Sequence, residues 1–199
     1  MRHKAGALKQ LGLVAAGVLM ALVPGSATAD QPQPKELQLD AVAVNLSGVG
    51  RSGTQRLKIV IEGWSSDATR DKLIEALKDK GSDKLLDVLQ SIRPRVGYIR
   101  TTTSLGWDIQ YAQEYPLPEG GRRIVFATDR PMSFREASAR PRSSEYEFML
   151  CEIRLNRDGT GEGKLAPMSK ISFDKKKQVI EIENYGLEPI RLTQVTVEK

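Results

Sequence analysis

Residues 56–92, RLKIVIEGWSSDATRDKLIEALKDKGSDKLLDVLQSI, change period part-way along, and that change decides the fold class. Over 56–64, Leu57, Ile59 and Ile61 alternate with Lys58 and Glu62, the period of a half-buried strand. From Ser66 or Asp67, both suited to cap a helix, apolar residues take helical spacing, and Leu73, Ile74 and Leu77 form one stripe. Gly81 stands where a helix ends in a left-handed residue. Ser82 is placed to cap a second helix whose apolar side is Leu85, Leu86, Leu89 and Ile92. A helical hairpin at about 67–92 is therefore predicted, and its stripe must lie on something, most simply the open face of a sheet. The second helix carries Asp83, Lys84, Asp87 and Gln90 rather than a basic face, which argues against a DNA-binding helix-turn-helix.

On either side the pattern is that of antiparallel strands separated by turn residues. Strands are predicted at 37–46, 56–64, 96–102, 105–114, 122–128, 145–155, 164–173, 178–185 and 189–197. The fourth places Trp107, Ile109 and Tyr111 on one face. Asp158-Gly159 is a hairpin signal, and Lys175, Lys176 and Lys177 mark another tight connection. The expected fold is mainly β (α+β): a single antiparallel β-sandwich or flattened barrel of about nine strands with an inserted helical hairpin. The predicted organisation is a signal peptide at 1–29, a polar, Pro-spaced leader at 30–36, and one β-rich domain at 37–199.

The N-terminus reads as a cleavable secretory signal. Arg2, Lys4 and Lys9 make it positive, and residues 11–23 are uncharged and mostly apolar. That run is short of the roughly 20 residues a membrane span needs. Pro24 and Gly25 break it, and Ala27 and Ala29 supply the small residues before a cut at Asp30. A secreted or periplasmic location is expected, with no stable membrane span after cleavage. Cleavage would leave 170 residues, in which 27 basic side chains face all 25 acidic ones for a net charge of +2. So balanced a chain gives no ground for a nucleic-acid partner.

His3, the only histidine, leaves with the signal peptide. Without it, Ser-His-Asp and Cys-His nucleophiles and nearly all catalytic zinc sites are excluded. Cys151 is alone, so it forms no internal disulfide. It shares a period-two face with Met149 and Ile153 and reads as a buried, inert thiol. Residues 156–161 (NRDGTG) hint at a calcium loop, but Arg154 and Leu165 occupy its first and twelfth positions, so a plain turn is expected. Ser65 and Ser66 lack a lysine base at Ser-x-x-Lys spacing, and helix capping accounts for them. Carboxylate pairs from Glu145, Glu147 and Glu152, or Asp108 with Asp129, are the catalytic chemistry the inventory allows. No spacing selects any of them, so no catalytic residue, metal ligand or cofactor is assigned.

Arginine clustering is the strongest site signal. Six arginines, Arg122, Arg123, Arg130, Arg135, Arg140 and Arg142, fall within 122–142 against Asp129 and Glu136. Their planar forks suit carboxylate or phosphate and stack on rings such as Trp107, Tyr98, Phe134 and Tyr146. The alternative is that they pair with Glu145, Glu147 and Asp108 and order an irregular loop at 129–144.

Residues 45–50 (NLSGVG), 56–64 (RLKIVIEGW), 97–100 (GYIR), 104–108 (SLGWD), 120–131 (GGRRIVFATDRP) and 180–185 (IEIENY) resemble a group of uncharacterised secreted bacterial proteins. The resemblance runs from about Ala41 to the C-terminus. It implies a bacterial, extracytoplasmic protein and carries over no functional residue. The expected function is non-enzymatic binding of a small anionic ligand or an envelope protein partner through Arg122, Arg123, Arg130, Arg135, Trp107 and Tyr98. A carboxylate-dependent hydrolase and a structural component of an envelope assembly are the alternatives.

Overall fold

A computed structural model describes residues 36–45, 53–130, 148–176, 179–184 and 188–198, all within one unit, Gln33–Lys199. The signal peptide, its cut before Asp30, the leader up to 35, and Arg135, Arg140, Arg142, Phe134, Glu136, Glu145, Tyr146 and Glu147 lie outside the described residues.

The alternation that opens the chain becomes β1 (Leu37–Asn45), and that of 56–64 becomes β2 (Gly53–Ile61). The change of period then yields α1 (Asp67–Lys80) and α2 (Ser82–Ser91). Ser66 caps α1, its hydroxyl accepting from the Thr69 amide at 3.2 Å. Gly81, at φ 79°, closes α1 through its amide to the Leu77 carbonyl. Gly81 also caps α2, which corrects the expectation for Ser82: that residue is the first of the helix, and its hydroxyl is buried without a partner. Ser65 departs from the capping role as well. Its backbone and side chain bond to Ala112, tying the start of the hairpin to the sheet.

Strands follow as β3 (Gly97–Thr101), β4 (Trp107–Pro116), β5 (Arg122–Thr128), β6 (Phe148–Leu155), β7 (Thr160–Asp174), β8 (Val179–Asn184) and β9 (Ile190–Val197). Among the described residues there are nine strands and two helices, as predicted, and the arrangement is a barrel rather than a sandwich. Each strand from β1 to β6 pairs antiparallel with the next, β6 pairs with β7, β7 with β9, and β9 returns to β1. Eight strands thus close a ring, and β8 is left as a hairpin partner for the far half of β7. The length of β7 makes this possible. Its first half lies between β6 and β9, Ser169 pairs with both β6 and β8, and the residues beyond it leave the ring to pair with β8.

The interior of the ring is filled by side chains: Leu39, Leu57, Ile59, Ile61, Ile99, Ile109, Ile124, Phe126, Met149, Cys151, Ile153, Leu165, Leu192 and Val195 are all within 2% of full burial. Cys151 is buried as expected, and burial pushes its thiol up, away from the reactive thiolate. One face assignment is corrected. A bulge between Ile109 and Tyr111 inserts Gln110, so Ile109 and Ala112 point inward while Tyr111 points outward. The helical hairpin packs on that outer wall. Leu73, Leu77, Leu85 and Leu89 meet Ala127 of β5, Phe148 of β6 and Ile171 of β7, forming a second apolar cluster.

The predicted plain turn is found at 156–159, just before β7, and is built by Asp158. Its carboxylate accepts from the Thr160 amide at 2.9 Å and the Thr160 hydroxyl at 2.7 Å, which lowers its pKa. A carboxylate whose folded pKa is depressed contributes stability that is present above its unfolded value and lost as pH falls through the folded one. Asp158→Ala is therefore expected to lower the melting temperature by a few degrees at pH 7. Below the ordinary value of 3.8 the gap to wild type should close, as read by thermal unfolding at pH 7, 4 and 2.5.

Candidate functional site: an apolar cavity outside the barrel

Strands β4, β5 and β6 carry apolar residues on both faces, so their outer wall needs cover. The hairpin covers it incompletely. Between them lies a cavity of about 280 Å³, floored by Val125, Ala127, Phe148 and Leu150 and roofed by Leu73, Ile74, Leu77, Leu85 and Leu89. Ile171, Ile180 and Ile182 of the β7–β8 hairpin make one side, and Ile180 and Ile182 are 45% and 57% exposed. Large apolar side chains left so open at the rim of an apolar hollow are the feature a bound molecule would cover.

Polar chemistry is confined to one end, where Arg70 and Tyr111 line the cavity. The Tyr111 hydroxyl donates to Gln113 Oε1 at 2.8 Å, Tyr115 donates to the same oxygen at 2.5 Å, and Gln113 Nε2 donates to Asp67 Oδ1 at 3.0 Å. Gln113 is thus buried, with its oxygen accepting two bonds and its nitrogen donating one. Burial, reinforced by its contact with Tyr115, pushes the Tyr111 hydroxyl above the ordinary tyrosine range, so it stays neutral and able to donate. Arg70 meets Asp71 through Nε and Nη2 at 3.1 and 3.0 Å and Asp67 through Nη1 at 3.1 Å, and its pKa is raised first by the Asp71 bond.

The sequence-predicted residues fall into two groups at opposite ends of β5, a seven-residue strand and so about 20 Å long. At one end Arg122 pairs with Glu114 at 2.9 Å, and Arg123 stacks on the Tyr115 ring with 4.9 Å to its centre. Arg123 therefore touches the polar end of the cavity through Tyr115. At the other end Arg130 donates to the Gly106 carbonyl at 3.2 Å, and Trp107 packs half-buried against the barrel core. Tyr98 lies on β3 between Arg95 and Arg100, with 5.1 and 5.7 Å to its ring centre. Among the candidate carboxylates, Asp108 pairs with Arg95 at 2.7 Å and Glu152 with Arg154 at 3.1 Å. Among the described residues no group of three or more His, Cys, Asp or Glu is placed to hold a metal ion.

Cavity residues were not singled out from the sequence, although a signal was there. Residues 124–127 (IVFA) are apolar without alternation, which marks a strand covered on both faces. Comparison of the chain with protein families, curated proteins and solved structures finds no match.

Proposed function

We propose that this chain is an exported, extracytoplasmic binding protein that holds a small, mostly hydrocarbon molecule in the cavity between its helical hairpin and the barrel wall. One observation carries the reading: an apolar hollow of about 280 Å³ whose rim leaves Ile180 and Ile182 exposed. At about 30 Å³ for each water-sized group, the hollow has room for about nine methylenes. A non-enzymatic role fits a cavity lined by apolar side chains apart from Arg70 and Tyr111. Export rests on the tripartite reading of residues 1–29 and on the resemblance to secreted bacterial proteins.

The test is titration of the purified protein with N-phenyl-1-naphthylamine, whose fluorescence rises in apolar surroundings. Saturable binding is expected, and Ala127→Trp, which fills the cavity from its floor, should weaken it at least tenfold while the protein stays folded. Absence of saturable binding, or binding indifferent to Ala127→Trp, would sink the reading. An envelope protein partner is the second reading, favoured by β8. That strand pairs only with β7 among the described residues and presents Ile180 and Ile182 at an open edge. A protein-docking edge has no need of a fillable cavity, so the same titration separates the two.

A further inference from the structure

We infer that the molecule held in the cavity is a single-chain amphiphile with an uncharged, hydrogen-bonding head, an alcohol or amide rather than a free fatty acid. The inference rests on the cavity reading above and adds the chemistry of the head. An anion entering the polar end finds one lining cation, Arg70, whose guanidinium already serves two carboxylates. Arg70 with Asp67 and Asp71 sums to one negative charge. A carboxylate head would have to displace an ion pair and then sit beside the displaced acid, which like-charge repulsion opposes. A cationic head meets the opposite obstacle, because Arg70 lines the cavity while Asp67 and Asp71 do not.

A neutral head avoids both obstacles and finds partners of both kinds. Arg70 supplies donors, and the Tyr111 hydroxyl, which donates to Gln113, keeps a lone pair to accept. Arg70 is 37% exposed and Asp67 77%, so the polar end faces solvent while the hydrocarbon lining continues inward. About nine methylenes of room suits a chain of about ten carbons with its head outside.

The experiment displaces N-phenyl-1-naphthylamine with four ten-carbon compounds: decan-1-ol, decanamide, decanoate and decylamine, at pH 7 and low salt. The alcohol and amide are expected to displace the probe at concentrations at least tenfold below those of decanoate and decylamine. Asp67→Asn combined with Asp71→Asn, which keeps side-chain size while freeing Arg70, should improve decanoate at least tenfold and leave decan-1-ol within threefold. Decanoate or decylamine matching the neutral compounds on the wild-type protein would overturn the inference while leaving the cavity reading standing. An unchanged preference in the double variant would overturn it equally. If the probe binds nowhere, the cavity reading falls and takes the inference with it.

Discussion

Phe126→Ala is expected to destabilise the protein by about 3–5 kcal/mol, a large share of the about 5–15 kcal/mol that holds a domain folded. Phe126 is fully buried inside the barrel, and the register explains why its loss cannot be absorbed. Its cross-strand partners are Ala112 on β4 and Cys151 on β6, both small, so among these three neighbours the ring supplies most of the volume that fills the interior. Backbone hydrogen bonds on both sides of β5 keep the wall from collapsing into the space, and the cavity term then adds to the lost transfer energy. At about 2–4 °C per kcal/mol for a chain of this size, the melting temperature should fall by about 10 °C. Ala112→Phe placed in the Phe126→Ala background returns the ring to the same layer from the neighbouring strand and should recover part of the loss. A fall of only 1–2 °C in the single variant would mean that the interior is not packed as described.

Strand count and the helical hairpin were legible because each is written in a local period. Leu57, Ile59 and Ile61 repeat every two residues, Leu73, Leu77, Leu85 and Leu89 at helical spacing, and burial follows both patterns. What was not legible depends on partners distant in sequence. The inversion of Tyr111 comes from one extra residue at Gln110, and a single-strand pattern cannot reveal a bulge, which is a count of two residues against one on a neighbour. The early start of β7 at Thr160 was missed because GEGK over 161–164 has no apolar alternation. Glycine there answers a different demand. A Cβ at Gly161 would stand 2.1 Å from the Arg154 carbonyl oxygen, so the close approach of β6 and β7 admits no side chain.

The candidate site was hidden for the same reason in stronger form. Arg122, Arg123 and Arg130 are neighbours in sequence, yet an extended strand carries them to opposite ends of the barrel, where each finds a partner nearby. The cavity gathers residues from α1, α2, β4, β5, β6, β7 and β8, with more than a hundred positions between Arg70 and Ile182. Chain proximity therefore does not bring Arg122, Arg123 and Arg130 to one place, and it gave no sign of the hollow.

A barrel closed without the hairpin implies that the two apolar clusters can part, and Leu89→Asp is the substitution that should part them. Leu89 is 2% exposed within the cluster of Leu73, Leu77, Leu85, Ala127, Phe148 and Ile171, and an unpaired carboxylate placed there costs several kcal/mol. That cluster shares no residue with the cluster filling the barrel. The insert also leaves and rejoins the sheet at one point, where the Glu62 and Gly63 amides both donate to the Val96 carbonyl at 2.8 and 3.1 Å. The hairpin can therefore leave the wall without breaking the pairing of β2 with β3. Hydrogen exchange should show α1 and α2 losing protection while β1, β2 and β9 keep theirs, and probe binding should weaken at least thirtyfold because the cavity has lost its roof. Uniform loss of protection across helices and barrel would contradict this, since it would make the two clusters one cooperative unit. Retained probe binding with an unprotected hairpin would place the bound molecule somewhere other than this cavity. With the barrel intact, the variant ties binding to the hairpin's seat on the wall rather than to the fold as a whole.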